Sequence, residues 1–217
     1  SLQTIGTNQL ILELPGEQDP AKAARVLGKT ALLEFRSQRK GTETQMRTYQ
    51  SIRSEVRSLI RVNELSKDKI KDSSIPQINL DDLGELKKIL GLNQIQGSID
   101  EQIEQIRQKV NQEIIKLFEP ASLTGKDLIS AGRRQEQNLS SWEVTLAFNQ
   151  EGGDKFASLT KSIAGTDRLL GIVLDGESIS EANVGEQFKI AGITGGSATI
   201  SGNFSADSAR ELEVQLR

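Results

Sequence analysis

The 217 residues of this chain include no histidine and no cysteine. The first absence removes every imidazole base, proton shuttle and His-based triad. The second removes thiol nucleophiles and disulfides, and the two together remove the commonest zinc ligands. A chain without cysteine suits an oxidising compartment as well as a reducing one. Aromatic residues make up only 4%, with one Trp and one Tyr, so no stacking platform for bases or sugars is in prospect. Neither charge sign dominates: 27 basic against 30 acidic residues give a net charge of −3, and no nucleic-acid partner is expected. No apolar run approaches the roughly 18 residues that cross a bilayer, and the opening Ser1-Leu2 begins no signal peptide. It leads straight into strand-like sequence, as a piece excised from a longer protein would.

What is present falls into three textures. In residues 1–36, "NQLILEL" puts Leu10, Leu12 and Leu14 on one face of a strand. Asp19 and Pro20 then open a short helix that Gly28 closes, and "TALLEF" reads as a second strand. Residues 37–123 carry polar helix formers. Met46, Tyr49, Ile52, Val56, Leu59 and Ile60 recur at helical spacing, and a shorter helix is predicted over Asp81–Leu90. Ser98 and Glu101 have the spacing of a capping box. Behind it Ile99, Ile103, Ile106, Val110, Ile114 and Leu117 form one stripe. Six such side chains represent roughly 9–18 kcal/mol of gross burial, so this helix needs a partner, and the 43–65 helix is the nearest. The segment reads as a small helical subdomain, such as a helical hairpin.

Residues 124–217 return to strands and helices. "SSWEVTLAFN" alternates, with Trp142, Val144, Leu146 and Phe148 on one face. Gly152-Gly153 is read as an interruption, followed by a helix carrying Phe156, Leu159 and Ile163. The run from Leu169 to Leu174 is apolar save for Gly171, as a central strand covered on both faces would be. Asp175-Gly176 is a hairpin signal, "GGSATISGN" another strand, and Ser205 precedes a last helix with Ala209, Leu212 and Leu216 inward. The fold class is therefore α+β, split in sequence by a helical insertion.

Several groups of residues raise a chemical question. Gly28-Lys29-Thr30 has the tail of a phosphate-binding loop, but Ala23 stands where that loop needs glycine, and the order is helix then strand. The glycine-rich Ala191–Gly202 precedes a strand rather than a helix, which favours a turn over a nucleotide loop. Asp175, Glu177 and Glu181 read either as paired carboxylates or as turn and surface charge. Arg36, Arg39, Lys40, Arg47, Arg53, Arg57 and Arg61 read as a solvated helix face or a site for acidic head groups, and Arg133-Arg134 poses the same question more weakly. The isoleucine stripe reads as internal core or as a groove for an apolar client. No nucleophile–base pair, metal cluster or cofactor loop emerges, so neither enzyme activity nor a cofactor is expected.

Five stretches carry a family likeness: "LILELPGEQDPAKAARVLGKTALLEFR" (10–36), "LTGKDLISA" (123–131), "VTLAFNQEGGDKFASLT" (144–160), "GIVLDG" (171–176) and "AGITGGSATISGNFSADSARELEVQLR" (191–217). In this order the chain resembles the first large extracytoplasmic domain of the SecD family. The resemblance implies a ferredoxin-like base, with a mixed or antiparallel sheet and helices on one face, built from residues 1–36 and 124–217. It implies a mainly helical head at 37–123, and base elements that precede Gln3. It further implies a domain on the extracytoplasmic (periplasmic) side of the cell membrane, attached through transmembrane helices that this chain lacks. Such a domain works with SecF beside the SecYEG translocon, holding unfolded preprotein while the proton-motive force drives export. The expected contacts are Arg47, Gln50, Gln94 and Gln105 on the head. Gly41, Thr42, Pro120 and Gly125 are the expected hinge. A ferredoxin-like regulatory or oligomerisation module, its isoleucine stripe paired between protomers, is the alternative.

Overall fold

The computed structural model describes residues 3–4, 10–14, 32–68, 80–92, 94–135 and 141–216. The helix expected after Asp19 and the Gly28-Lys29-Thr30 tripeptide lie outside them. The chain forms two compact units: Thr42–Leu117, and Ser1–Gly41 together with Phe118–Arg217.

The helical unit contains α1 (Glu43–Asp68), α2 (Leu80–Ile89) and α3 (Ile99–Lys116). The Met46 amide donates to the Thr42 carbonyl and closes the first turn of α1. Met46, Ile52, Val56 and Leu59 are buried along one side of that helix. The capping box at the start of α3 forms in both directions. Glu101 Oε2 accepts from the Ser98 amide at 2.8 Å, and Ser98 Oγ accepts from the Glu101 amide at 3.3 Å. Of the predicted stripe, Ile103, Ile106, Val110, Ile114 and Leu117 are buried, while Ile99 is 38% exposed. Both α1 and α2 pack on α3, so a three-helix unit stands where a hairpin was one expectation.

The other unit holds two sheets. One has the order β1 (Gln3–Thr4), β2 (Leu10–Leu14), β9 (Ser197–Phe204), β6 (Trp142–Phe148), β5 (Leu128–Gln135). The second has the order β4 (Leu123–Thr124), β3 (Leu33–Ser37), β7 (Leu169–Leu174), β8 (Glu177–Asn183). All neighbours run antiparallel except β2 and β9. Helix α4 (Gln150–Ile163) packs on β3, β4, β6 and β7, and α5 (Ala206–Gln215) on β5, β6 and β9. The central strand β7 is buried at every position, as its unbroken apolar run requires.

Three phenylalanines tie the two sheets together. Phe35 of β3, Phe148 of β6 and Phe156 of α4 sit with ring centroids 5.2–5.9 Å apart, edge-on in the two pairs that involve Phe35. Each comes from a different element, and Phe35 and Phe148 belong to different sheets. Apolar side chains from both sheets and both helices complete the core around them.

Three expectations are corrected here. The described strands do not assemble into a single ferredoxin-like sheet, because β2, β6 and β9 belong to one sheet and β3 and β7 to another. The insertion read at 37–123 is narrower as a compact unit. Ser37 still pairs with Leu170, Gln38 bridges Phe118, and Leu123–Thr124 pairs with Glu34–Phe35, which makes both flanks part of the sheet structure. Gly152 and Gly153 do not interrupt α4 but lie in its first turn. There the Asn149 side chain caps the helix by accepting from the Gly152 amide at 2.7 Å.

Candidate functional site

The Asp175-Gly176 dipeptide is a two-residue turn with φ of 50° and 81°, the doubly positive geometry of a tight hairpin. Asp175 Oδ1 accepts from the Leu32 amide at 2.8 Å, and its own amide donates to the Leu32 carbonyl at 3.0 Å. The carboxylate thus tethers the start of β3. Glu177 and Glu181 lie on β8 opposite Leu174 and Gly171, and the Ser178 hydroxyl donates to the Glu181 carboxylate. The three acids belong to a turn and a strand and converge on no common point. No group of acidic residues among the described ones is arranged to hold a metal.

The glycine-rich loop is a packing device. A Cβ on Gly192 would lie 1.8 Å from the Ala157 carbonyl oxygen, so only glycine lets this loop reach α4. The Ile193 amide then donates to Thr160 Oγ1 at 2.9 Å, and that hydroxyl donates to the Phe156 carbonyl. The strand β9 follows, so no helix start faces the loop.

The run of basic residues is divided. Arg36, Arg39 and Lys40 belong to the sheet unit, whereas Arg47, Arg53, Arg57 and Arg61 lie on α1. Arg36 bonds Glu34 at 2.8 Å. Arg39 donates to the Phe118 carbonyl at 2.9 Å and faces Glu119 at 3.8 Å. Arg133 stacks over Trp142 at 5.5 Å, donates to the Ala206 carbonyl and reaches Glu213. Arg134 pairs with buried Glu143 at 2.6 Å. The Arg36, Arg39, Arg133 and Arg134 guanidiniums are structural.

Sequence reasoning missed one polar network. Burial pushes the Asp127 carboxyl up, but the Lys155 ammonium at 2.8 Å and the Thr124 amide outweigh it and hold the carboxyl below the ordinary aspartate range. The same contact, with Glu151, pushes the Lys155 ammonium up. Asp127 also accepts from the Asn149 amide through its carbonyl. This joins the loop between β4 and β5 to the start of α4. The signal was the aspartate of "TGKD", three residues after Thr124, whose amide donates to its carboxylate.

Arg47, Gln94 and Gln105 are exposed and Gln50 is half-buried. They do not gather in one place. The Asn63 side chain donates to Asp100, so the last turns of α1 lie beside the first turn of α3. Arg47 and Gln50 therefore sit at one end of the helix pair and Gln94 near the other. The sixteen residues from Arg47 to Asn63 span about 24 Å of helix axis. Among the hinge candidates, Gly41 (φ +84°) and Thr42 fall at the point where the chain passes from one unit to the other. The return passage is at Leu117–Phe118. Pro120 and Gly125 are inside the sheet unit, and Gly125 opens a single helical turn, Gly125–Asp127, against Leu33.

The described residues form a two-sheet α+β unit and a three-helix unit, with no convergent catalytic constellation among them. Comparison with known proteins gives the chain's family. The family model described as "SecDF, P1 head subdomain" matches residues 94–217, and "Protein translocase subunit SecDF, P1 domain, N-terminal" matches residues 1–40. The chain belongs to the SecD/SecDF P1 family. Protein translocase subunit SecD of Prochlorococcus marinus is 69% identical over the whole chain, which spans 44% of that relative. SecD of a Synechocystis strain is 40% identical, again over the whole chain and 41% of the relative. A solved structure of SecDF, described as a membrane component that enhances protein export, is 25% identical over 94% of this chain and 71% of its own, with a TM-score of 0.48. At that score the family assignment rests on the sequence matches. The head-subdomain match runs through α3 and the C-terminal sheet and helix elements alike.

Proposed function

We propose that this domain binds unfolded preprotein as it emerges on the extracytoplasmic (periplasmic) side of the cell membrane. There it assists export driven by the proton-motive force, alongside SecF and the SecYEG translocon. The observation that carries the reading is the 69% identity over all 217 residues to a protein translocase subunit SecD. Membrane attachment and proton conduction fall to transmembrane helices outside this chain, since no helix among the described residues is long and apolar enough to cross a membrane. Proton-driven work needs charge moving through the membrane field, about 2.3 kcal/mol per charge per 100 mV. This domain is therefore the clamp, not the motor, and has no catalysis of its own. The two chain passages at Gly41–Thr42 and Leu117–Phe118 are where one unit swings against the other during a cycle.

Burial of the isoleucine stripe counts against the oligomerisation form of the alternative, the ferredoxin-like regulatory or oligomerisation module. Ile103, Ile106, Val110 and Ile114, which it would pair between protomers, are already covered by α1 and α2.

The test is a titration of the domain into a fluorescently labelled, permanently unfolded polypeptide, followed by anisotropy. A clamp that must also release predicts a weak Kd of about 10 μM to 1 mM, or roughly 4–7 kcal/mol, similar for unrelated unfolded sequences. No binding in that range, or binding confined to a single sequence, contradicts the reading.

A further inference from the structure

The two chain passages are built differently. On the sheet side both are anchored, and the anchors are tied to each other. Gln38 is fully buried and faces Phe118 across an isolated antiparallel bridge, a pairing that sets two Cα atoms about 5 Å apart. The Gln38 amide donates to the Leu169 carbonyl at 2.9 Å, and its side-chain Oε1 accepts from the Leu169 amide at 3.0 Å. On the returning strand the Glu119 amide donates to the Ser37 carbonyl at 2.9 Å. Arg39 Nε then donates to the Phe118 carbonyl at 2.9 Å. The outgoing and returning chain therefore leave the sheet unit as a bonded pair.

Phe118 has the firmest hold. It is 1% exposed, and its ring fills the place that a side chain on Gly171 of β7 would take. A Cβ on Gly171 would lie 2.5 Å from the ring's Cε1. Glycine inside a strand often marks such a close approach. Any larger residue there would push the ring from its seat.

The passages differ in the chain that lies between anchor and helix. Three residues, Lys40–Thr42, separate Arg39 from Glu43, where α1 begins, and Gly41 turns there with φ of +84°. Three residues reach at most about 10 Å. On the return side nothing intervenes. α3 ends at Lys116, buried Leu117 caps it with an amide that donates to the Ile114 carbonyl, and the next residue is Phe118. Because the peptide itself is planar, only the ψ of Leu117 and the φ of Phe118 are soft between helix end and seated ring.

We infer that Phe118, seated on Gly171, is the fixed pivot of the helical unit, and that Lys40–Thr42 is the longer tether that follows its turning. The inference rests on the reading that one unit swings against the other, and it names the pin. Hinge motion is absorbed by a few residues at element ends. Here the short link holds one point still, and the three-residue link limits how far the start of α1 travels.

The test uses spin labels and dipolar distance distributions in the full-length protein, with any cysteine outside this domain replaced by serine. Lys161→Cys on α4 and Gln105→Cys on α3, both exposed, report across the two units. Arg47→Cys with Gln105→Cys reports inside the helical unit and serves as the rigid control. Two glycines are inserted either between Leu117 and Phe118 or between Lys40 and Gly41. They add up to about 7 Å of reach. The pivot predicts a distribution several ångström wider from the first insertion and little change from the second. Gly171→Ala should widen it as well, and adding Phe118→Leu, which makes room for the methyl, should narrow it again. The control pair should stay unchanged throughout. Equal widening by the two insertions, or more from the one at Lys40, overturns the pivot and leaves the swing standing. Gly171→Ala that lowers the melting temperature without widening the distribution also overturns it, since Phe118 is then core packing alone. A cross-unit distribution as narrow as the control in the wild type and in both insertion variants overturns the pivot and the swing together.

Discussion

Phe156→Ala should be among the most damaging single changes in the sheet unit. The side chain is fully buried, and its ring centroid lies 5.9 Å from Phe35 and 5.2 Å from Phe148. Phe35 and Phe148 come from different sheets, so the helix residue bridges a sheet-to-sheet contact as well as packing on each. Truncating a buried phenylalanine typically costs about 3–5 kcal/mol, with about 0.5–1.5 kcal/mol of that from each aromatic pair. Against a domain stability of about 5–15 kcal/mol, that is a large share. With a urea slope of about 2–3 kcal/mol/M, the midpoint should fall by roughly 1–2 M. The assay is urea unfolding followed by tryptophan emission, since Trp142 is the only Trp and packs against this core. A double-mutant cycle of Phe35→Leu with Phe156→Leu should add a coupling of at least ~0.5 kcal/mol, as residues in contact do. A loss below about 1 kcal/mol for Phe156→Ala, outside the usual range for a buried aromatic, would mean that the three rings do not join the sheets.

Gly192→Ala should be far worse than Gly176→Asn. The first puts a methyl into the Ala157 carbonyl at a φ of +72°, for roughly 1–3 kcal/mol of overpacking beyond the backbone strain, while the second meets nothing within 4 Å and asparagine tolerates positive φ; thermal melts of the two variants compare them. Asp127→Asn should cost stability that depends on pH. The folded carboxyl is depressed, so its contribution is complete above the unfolded value near ~3.9 and drains as pH falls through the lower folded value. The gap between wild type and Asp127→Asn should therefore be flat from neutral pH down to mild acid and close below it, and a gap that widens on acidification would refute the assignment. Ser98→Ala removes one half of the capping box and should cost the helical unit about 1 kcal/mol, read as lost helical circular dichroism on mild heating, with Ser98→Asp restoring it.

How much of this was legible in the sequence follows the range of the interactions. The Ser98–Glu101 cap, the Asp175-Gly176 hairpin and the apolar run of β7 are local signals, and each appears where its pattern put it. The isoleucine stripe announced a buried helix, and α1 supplies the expected partner, because a 3.6-residue period specifies a face. Gly152 was misread because its glycine serves a contact remote in sequence: a Cβ there would lie 2.8 Å from the Asp127 Cβ. Gly171 is similar, with the Phe118 ring filling the space its side chain would take. The split into two sheets was beyond reach for the same reason. The parallel pairing of Ile11 with Thr199 joins segments from opposite ends of the chain, and no local periodicity encodes a partner at that distance. Of the candidate contacts, exposure of Arg47, Gln94 and Gln105 was readable from their polar positions, but their scatter along the helical unit was not.

The central claim is that this domain touches the exported chain. It is tested most directly by photo-cross-linking in the full-length protein, with a photoreactive residue placed singly at Arg47, Gln50, Gln94 and Gln105 during export of an arrested preprotein. Exposed Lys161 is the control position. The account predicts preprotein adducts from at least one of the four positions and none from Lys161, and the adducts should vanish when the preprotein is released. Equal labelling at every position, or none at any of the four while export proceeds at its normal rate, would contradict it.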